Sequence, residues 1–510
     1  MLTRVFSSAT LGIDAFKIIV EVDIASGLPS YSVVGLPTGA VRESRDRIFP
    51  AIKNSKLKIP SHHITINLAP ADIKKEASSL DLPVAIGLLT STRQISTEFL
   101  NDYLILGELS LDGGLRPIKG ALSIAVRGKK SGFKGIVLPK ENAAEAGLVD
   151  GLDVIPVETL RDTAQFLNDP GSHTPFKLDI ESIFKEAAAY PIDFMDVKGQ
   201  QHVKRALEVA ASGGHNIIMI GPPGSGKTML AKRIATILPA MSLDEALETT
   251  KIHSVAGLLS SDKSLIATRP FRSPHHTISD AGLIGGGHYP RPGEVSLANH
   301  GVLFLDELPE FRRNVLEVMR QPLEDKRVTI ARASVSLTYP ANFMLATAMN
   351  PCPCGYFGDP KSECTCSPNM ILNYRSRISG PLMDRIDIHI EAPAVNFEEL
   401  TKKPTGESSD MIRERVNAAR RIQQDRFAGQ NNVFNNAQME SRHLQTYCKI
   451  DENCLNLLKM AINKFGFSAR AYDRILKVAR TIADLENNDE IKTSHISEAI
   501  QYRTLDRQTA

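Results

Sequence analysis

The sequence predicts an α/β protein in which a parallel-sheet unit is preceded by a second α/β unit and followed by a helical region. Three observations carry this. The apolar run Ile217 to Ile220 leads into Gly221-Pro222-Pro223-Gly224-Ser225-Gly226-Lys227-Thr228 and then into helix-like Met229 to Leu238, which is a strand, a glycine-rich loop and a helix in sequence. Further on, Gly301-Val302-Leu303-Phe304-Leu305 ends in Asp306-Glu307. That is the signature of a buried parallel strand with carboxylates at its C-terminal edge, where doubly wound sheets bind ligands. From Met1 to about Asn168, helical and extended patterns alternate.

Taken in order, Lys17 to Ile24 alternates, with Val20, Val22 and Ile24 on one face and Glu21 and Asp23 on the other, as a half-buried strand does. Thr38 to Lys56 reads as a helix, His63 to Leu68 as a strand, Leu82 to Arg93 as a helix and Leu104 to Leu109 as a strand. Asp112-Gly113-Gly114 is a turn. Residues 169–191 carry Pro-Gly and a short charged helix and read as a linker. Residues 192–395 form the glycine-loop unit: Gln200 to Ala211 is a helix, Glu310 to Leu323 another, Arg327 to Leu337 a hairpin and Phe343 to Ala348 a third apolar strand. Residues 396–510 are mostly helical, with Ser468-Ala469-Arg470 opening a helix over Ala471 to Leu485.

The composition narrows the class. At 510 residues the chain has room for roughly two to four domains. A net charge of +2 means that any nucleic-acid surface is a local patch and not a whole-protein field. The first sixteen residues lack a long apolar core, and no uncharged apolar stretch reaches the ~18 residues of a membrane span. Of six cysteines, four lie between Cys352 and Cys366, which points to a local site in a reducing cytoplasm rather than a disulfide framework.

The glycine loop defines the chemistry. Its glycines let backbone N–H groups turn towards an anion, and the following helix presents its own free donors. Lys227 is positioned to reach the β- and γ-phosphates of ATP, and the Thr228 hydroxyl to hold Mg²⁺. The spaced pattern should arise by chance about 0.02 times in a chain this long, so composition does not explain it. Asp306 complements Thr228 at the Mg²⁺, and Glu307 orients and deprotonates the attacking water. Asn350, at the tip of the third strand, either holds that water or merely starts a turn before Pro351. Arg385, in Leu382-Met383-Asp384-Arg385-Ile386-Asp387, is either a finger reaching into a neighbouring subunit's nucleotide or the partner of Asp384 or Asp387 in its own chain. Arg470 is placed to report hydrolysis from the helical region.

Three further features leave alternatives open. Cys352, Cys354, Cys364 and Cys366 form two C-x-C pairs that suit Zn²⁺, four reduced thiols or a redox pair. His275 and His276 read as loop residues, facing DNA or a neighbour. Ile278 to Ser296, with Gly285-Gly286-Gly287, His288, Tyr289 and Arg291, and the hairpin with Lys326, Arg327 and Arg332, are candidate pore loops that would grip DNA or a peptide. The Arg413, Arg415, Arg420, Arg421 and Arg426 cluster reads as a solvated helix more than as a basic face.

On GPPGSGKT at 221–228, RPFRSPHH at 269–276, GGGHYPRPGEVSLANHGVLFLDEL at 285–308, AMNPCPCGYFGDP at 348–360, SGPLMDRIDIHIE at 379–391 and SARAYDRILKVARTIADL at 468–485, the chain resembles the magnesium-chelatase-like AAA+ ATPases of the ComM/YifB type. The resemblance implies a homohexamer assembled with ATP, a C-terminal helical lid over 396–510, and an N-terminal domain over 1–168 of the Lon-protease (ribosomal S5 domain 2-like) fold. Lys75-Glu76-Ala77-Ser78-Ser79-Leu80-Asp81 carries the Lon resemblance. Ser79 stands where that family has its nucleophile and Leu122 where it has its lysine, so no peptidase activity is expected. The resemblance also implies a cytoplasmic DNA motor that migrates branches, as a helicase does, while incoming single strands are integrated in natural transformation. A metal-insertion chaperone like the chelatase ATPase subunit, or an ATP-dependent protein remodeller, is the alternative.

Overall fold

The computed structural model describes residues 2–36, 43–60, 62–71, 78–259, 264–287, 290–332, 335–360, 362–394, 406–430 and 433–503. The chain divides into two compact units. One comprises Met1–Ala187 with Leu243–Ala267, the other Ala188–Ser242 with Thr268–Ala510.

In the first unit, Leu2–Leu11, Asp14–Ala25, His63–Ala69 and Ser30–Val34 form a four-stranded sheet in that spatial order. All pairs are antiparallel except the last. The alternation read in the second strand holds, with Val20 and Val22 fully buried, Ile24 half-buried against the same core, and Glu21 hydrogen-bonded to Arg4 and Asn67. Helix Asp81–Ser91 lies under this sheet, buried along nearly its whole length. Gly87 lets it approach closely, since a Cβ there would come 2.6 Å from Val22 Cγ2. A second, parallel sheet joins Tyr103–Ile105, Gly135–Pro139 and Asp153–Val157.

Some elements differ from the sequence reading. Of the helix expected over 38–56, residues 38–42 lie outside the described residues and the described part spans Ser44–Asn54, while the strand expected over 104–109 is two short pieces, Tyr103–Ile105 and Glu108–Leu109. Between them Gly107 turns its N–H to Ser79 and its carbonyl to Leu82. Segment 243–267, which follows the glycine loop in sequence, joins the first unit. There, Ser254 Oγ in helix Leu243–Ala256 accepts the Gly120 N–H at 2.9 Å and donates to Glu145, whose carboxyl burial pushes upward. Leu122 is fully buried, with its N–H on Glu145 Oε1. Lys75, Glu76 and Ala77 lie outside the described residues.

The second unit is built on a five-stranded, all-parallel sheet in the order Phe271–Arg272, Val302–Leu305, Met344–Met349, Ile217–Ile220, Ile388–Glu391. The three inner strands are buried at every residue, as a sheet covered by helices on each side requires. The helix expected over 310–323 is broken into Arg313–Val318 and Arg320–Asp325. Pro322 has no N–H for the Val318 carbonyl, so the hydrogen-bond ladder is interrupted where the two helices meet. The C-terminal helices, including Ser409–Arg426, Glu452–Phe465, Ala469–Leu485 and Thr493–Gln501, share one hydrophobic core with the sheet. Ile412, Ile475 and Ile496 sit in the same cluster as Ile217, Phe304 and Ile388. The glycine-loop fold and the helical region are therefore one compact unit. Among the described residues no helix is long and apolar enough to cross a membrane.

Candidate active site

The site lies at the C-terminal edge of the parallel sheet. Ile220 pairs with Met349 on one side and Glu391 on the other, so the loop that follows it emerges beside Asn350. Gly221 is packed against the edge strand, and a Cβ on it would meet the Ala392 carbonyl oxygen at 2.0 Å. Gly224 and Gly226 take φ of +77° and +85°, the left-handed backbone that turns the loop around. Helix Lys227–Ile237 starts directly from it. Lys227 Nζ donates to the carbonyls of Gly221 (2.7 Å) and Pro222 (2.9 Å) and reaches Asn350 Oδ1 at 3.4 Å. Burial lowers its pKa, and the charges of Asp306 and Glu307 oppose that.

Across the sheet, Thr228 Oγ1 donates to Asp306 Oδ2 at 2.7 Å, while Asp306 Oδ1 accepts the Glu307 N–H. A hydroxyl and a carboxylate converging next to a lysine form a hard-oxygen donor set, which fits Mg²⁺ and not a soft metal. Glu307 itself sits at φ +53°, unusual for a side-chain-bearing residue, and projects its carboxylate from the strand tip.

Three family models match successive stretches of the chain. They are Subunit ChlI of Mg-chelatase over residues 20–142, Magnesium chelatase, subunit ChlI over 193–400, and Magnesium chelatase, subunit ChlI C-terminal over 406–503. YifB of Escherichia coli is 44% identical over 507 residues, which cover 99% of this chain and 98% of YifB. The chain belongs to the magnesium-chelatase-like ComM/YifB family of AAA+ ATPases. Competence protein ComM of Haemophilus influenzae is 42% identical over 511 residues, again 99% of this chain and 98% of its own. Lon protease 2 of Bacillus subtilis is 25% identical over 164 residues, 30% of this chain and 29% of the protease.

Other site residues have partners in this member of the family that the sequence did not reveal. Arg385 pairs with Glu324 and donates to the Pro381 carbonyl, so its guanidinium is engaged within its own chain, though not with Asp384 or Asp387. Asp384 instead accepts from Arg470 at 2.6 Å, so Arg470 rests on the segment that carries Arg385. Asp387 is fully buried between Arg474 and His215, and His215 bonds onward to Thr481 in the C-terminal helix 469–485. Burial alone would raise Asp387, but Arg474 and His215 outweigh it and hold the carboxyl well below the usual range.

Sequence reasoning missed two residues. Gln200, at φ +51°, donates to the Ser225 carbonyl at 3.0 Å and to the Pro393 carbonyl at 2.6 Å, tying the glycine loop to the edge strand. His276, read as a loop residue, has Nδ1 3.3 Å from Glu307 Oε2 and its ring centroid 4.1 Å from that of His275. The signal available was its place a few residues beyond the strand that neighbours Val302–Leu305. Ahead of Gln200, the short turn Phe194–Asp196 is clamped to the loop's helix, with Arg233 donating to the Asp193 carbonyl and to Asp196.

The two candidate grip loops touch each other. The hairpin pairs Arg327–Arg332 with Val335–Pro340, and Gly285–Gly286 pairs with Arg291–Pro292. Tyr339 Oη donates to the Pro290 carbonyl at 2.8 Å, and a Cβ on Gly285 would strike Ile330. Arg291, Arg327 and Arg332 are exposed, whereas Lys326 is partly buried at the hairpin base, where desolvation lowers its pKa, and is a poor phosphate contact. His288 and Tyr289 lie outside the described residues. The arginine cluster is neither a basic face nor a mainly solvated one. Arg415 pairs with Glu208 and Glu407, Arg426 with Asp484, and Arg413 and Arg420 donate to the Thr236 and Ala211 carbonyls. The four cysteines converge, their sulfurs all within 4.8 Å of one another, as a group able to hold a metal ion.

Proposed function

We propose that this protein is an ATP-hydrolysing homohexameric motor that acts on single-stranded or branched DNA in the cytoplasm, driving branch migration while incoming strands recombine in natural transformation. The observation that carries the ATPase reading is the 2.7 Å Thr228–Asp306 contact beside Lys227 and Glu307. Thr228 and Asp306 would hold Mg²⁺, which would neutralise phosphate charge. The backbone of Gly221 to Gly226, with Pro222, Pro223 and Ser225, cradles the phosphates, and Lys227 exchanges its loop carbonyls for phosphate oxygens. Glu307 takes a proton from water as the water oxygen bonds to the γ-phosphorus and the bond to the ADP oxygen breaks. Asn350 steadies the water. Arg385 leaves Glu324 to serve a neighbouring subunit's site, and Arg470, through Asp384, links that arginine to the C-terminal helices.

The DNA reading is supported by full-length similarity to a competence protein and by exposed Arg291, Arg327 and Arg332 on two adjoining loops. Similarity to magnesium chelatase subunits favours the second reading, a metal-insertion chaperone. An ATPase and strand-displacement assay across forked, branched and single-stranded DNA, with Glu307→Gln as control, separates them. Stimulation by a porphyrin or partner protein, with none by DNA, would end the DNA reading.

A further inference from the structure

The loop that leaves Asn350 turns back on itself so that Cys352, Cys354 and Cys364 crowd together. Their sulfurs are 3.3 Å (352 to 354), 3.7 Å (352 to 364) and 3.6 Å (354 to 364) apart. The Cys354 N–H points at Cys366 Sγ from 3.4 Å. Cys352 is fully buried, and the other three are half-buried. None of these separations is near the ~2.05 Å of a disulfide. The two between the pairs lie near the ~3.8 Å edge of a tetrahedron of thiolates around one Zn²⁺ with bonds of about 2.3 Å, and the 3.3 Å within Cys352-Pro353-Cys354 is the tighter bite of a C-x-C pair. Four sulfurs within 4.8 Å leave space for a single ion, and an all-sulfur set selects zinc over the hard cation expected at Thr228 and Asp306. Among the described residues, this is the only group of three or more potential metal ligands so arranged.

The same loop presses on the nucleotide loop. Gly355, one residue past Cys354, has φ +88°, and a Cβ there would lie 2.6 Å from Cδ and 2.8 Å from Cγ of Pro223. A proline ring cannot swing aside as a flexible side chain does. At the root of the loop, Asn350 reaches Lys227, and Arg375 donates to the Pro351 carbonyl while its guanidinium covers the Phe357 ring at 5.6 Å. The loop is thus fixed at its root and at Gly355, and the cysteines close the stretch between 352 and 366.

We propose that Cys352, Cys354, Cys364 and Cys366 bind one structural Zn²⁺, and that the ion holds this loop against Pro223 so that the nucleotide loop keeps its shape. The metal site stands on its own geometry; the coupling rests on the nucleotide reading above. Elemental analysis of the full-length protein, purified without added metal, should find about one zinc per chain, and exchange into Co²⁺ should give a thiolate-to-metal charge-transfer band. Metal at buffer level, or iron in its place, overturns the site. The Cys364→Ser/Cys366→Ser protein should lose zinc and bind ADP about tenfold more weakly, an ordinary size for coupling between sites. A zinc-free, folded protein with undiminished ADP affinity overturns the coupling. Should that variant not fold, Gly355→Ala keeps all four thiolates. It should retain zinc yet lose ADP affinity, and unchanged affinity likewise removes the coupling. If the wild-type protein carries zinc but binds no nucleotide at any Mg²⁺ concentration, the nucleotide reading and the coupling fall together, while the metal site survives.

Discussion

His276 Nδ1 lies 3.3 Å from Glu307 Oε2, joining the loop after Phe271–Arg272 to the carboxylate proposed to activate water. A carboxylate paired with a protonated imidazole is a weaker acceptor for the water's proton. Pairs this exposed are worth about 0.2–1 kcal/mol. His276→Ala should therefore raise basal, DNA-independent turnover, by up to about fivefold. Steady-state ATPase without DNA reads this directly, and an unchanged or lower rate means that His276 does not restrain Glu307.

Glu307→Gln should keep nucleotide affinity and lose hydrolysis by about 10²–10⁴-fold, the usual share of a general base. Lys227→Ala should instead weaken nucleotide binding itself. A fluorescent-nucleotide titration beside a phosphate-release assay distinguishes the two, and near-normal turnover by Glu307→Gln would remove that residue from the mechanism.

Arg385 faces Glu324 within its own chain, so action on a neighbour requires that pair to open. Arg385→Ala should bind nucleotide normally and lose turnover by about 10³–10⁵-fold. Mixed with Glu307→Gln chains, it should recover part of the activity, because an Arg385→Ala chain beside a Glu307→Gln chain combines its own Glu307 with the neighbour's intact Arg385. Mixtures as inert as either parent would confine Arg385 to a structural pair.

Two buried histidines give the second unit an acid limit. Burial lowers the pKa of His215, partly offset by Asp387, and holds His389 well below its ordinary value with help from Arg503. A depressed folded-state pKa means the unfolded chain takes up the proton first. The stability from each is therefore complete above the unfolded value near 6.5 and is lost as pH falls below it, at up to about 1.4 kcal/mol per pH unit per histidine. The Tm should fall between pH 7.5 and pH 5.5. A flat or rising Tm over that interval would show that the two rings do not enter the folded state neutral.

Elements whose geometry is local can be read directly along the chain. A glycine pattern fixes its own turn, an apolar run of four fixes a buried strand, and Asp306 and Glu307 follow their strand to its tip, so the loop, the acidic pair and the family were all legible along the chain. Which distant groups meet is set by the packing of the fold. It gave Glu307 to His276, Arg385 to Glu324 and Asp384 to Arg470, placed Gln200 across the glycine loop, assigned 243–267 to the first unit, and brought two C-x-C pairs close enough for one ion. The reason is physical: charge pairing and metal ligation depend on distances between strand ends and loops remote in sequence. Those distances are set by how the sheet and its covering helices pack, which no local periodicity encodes.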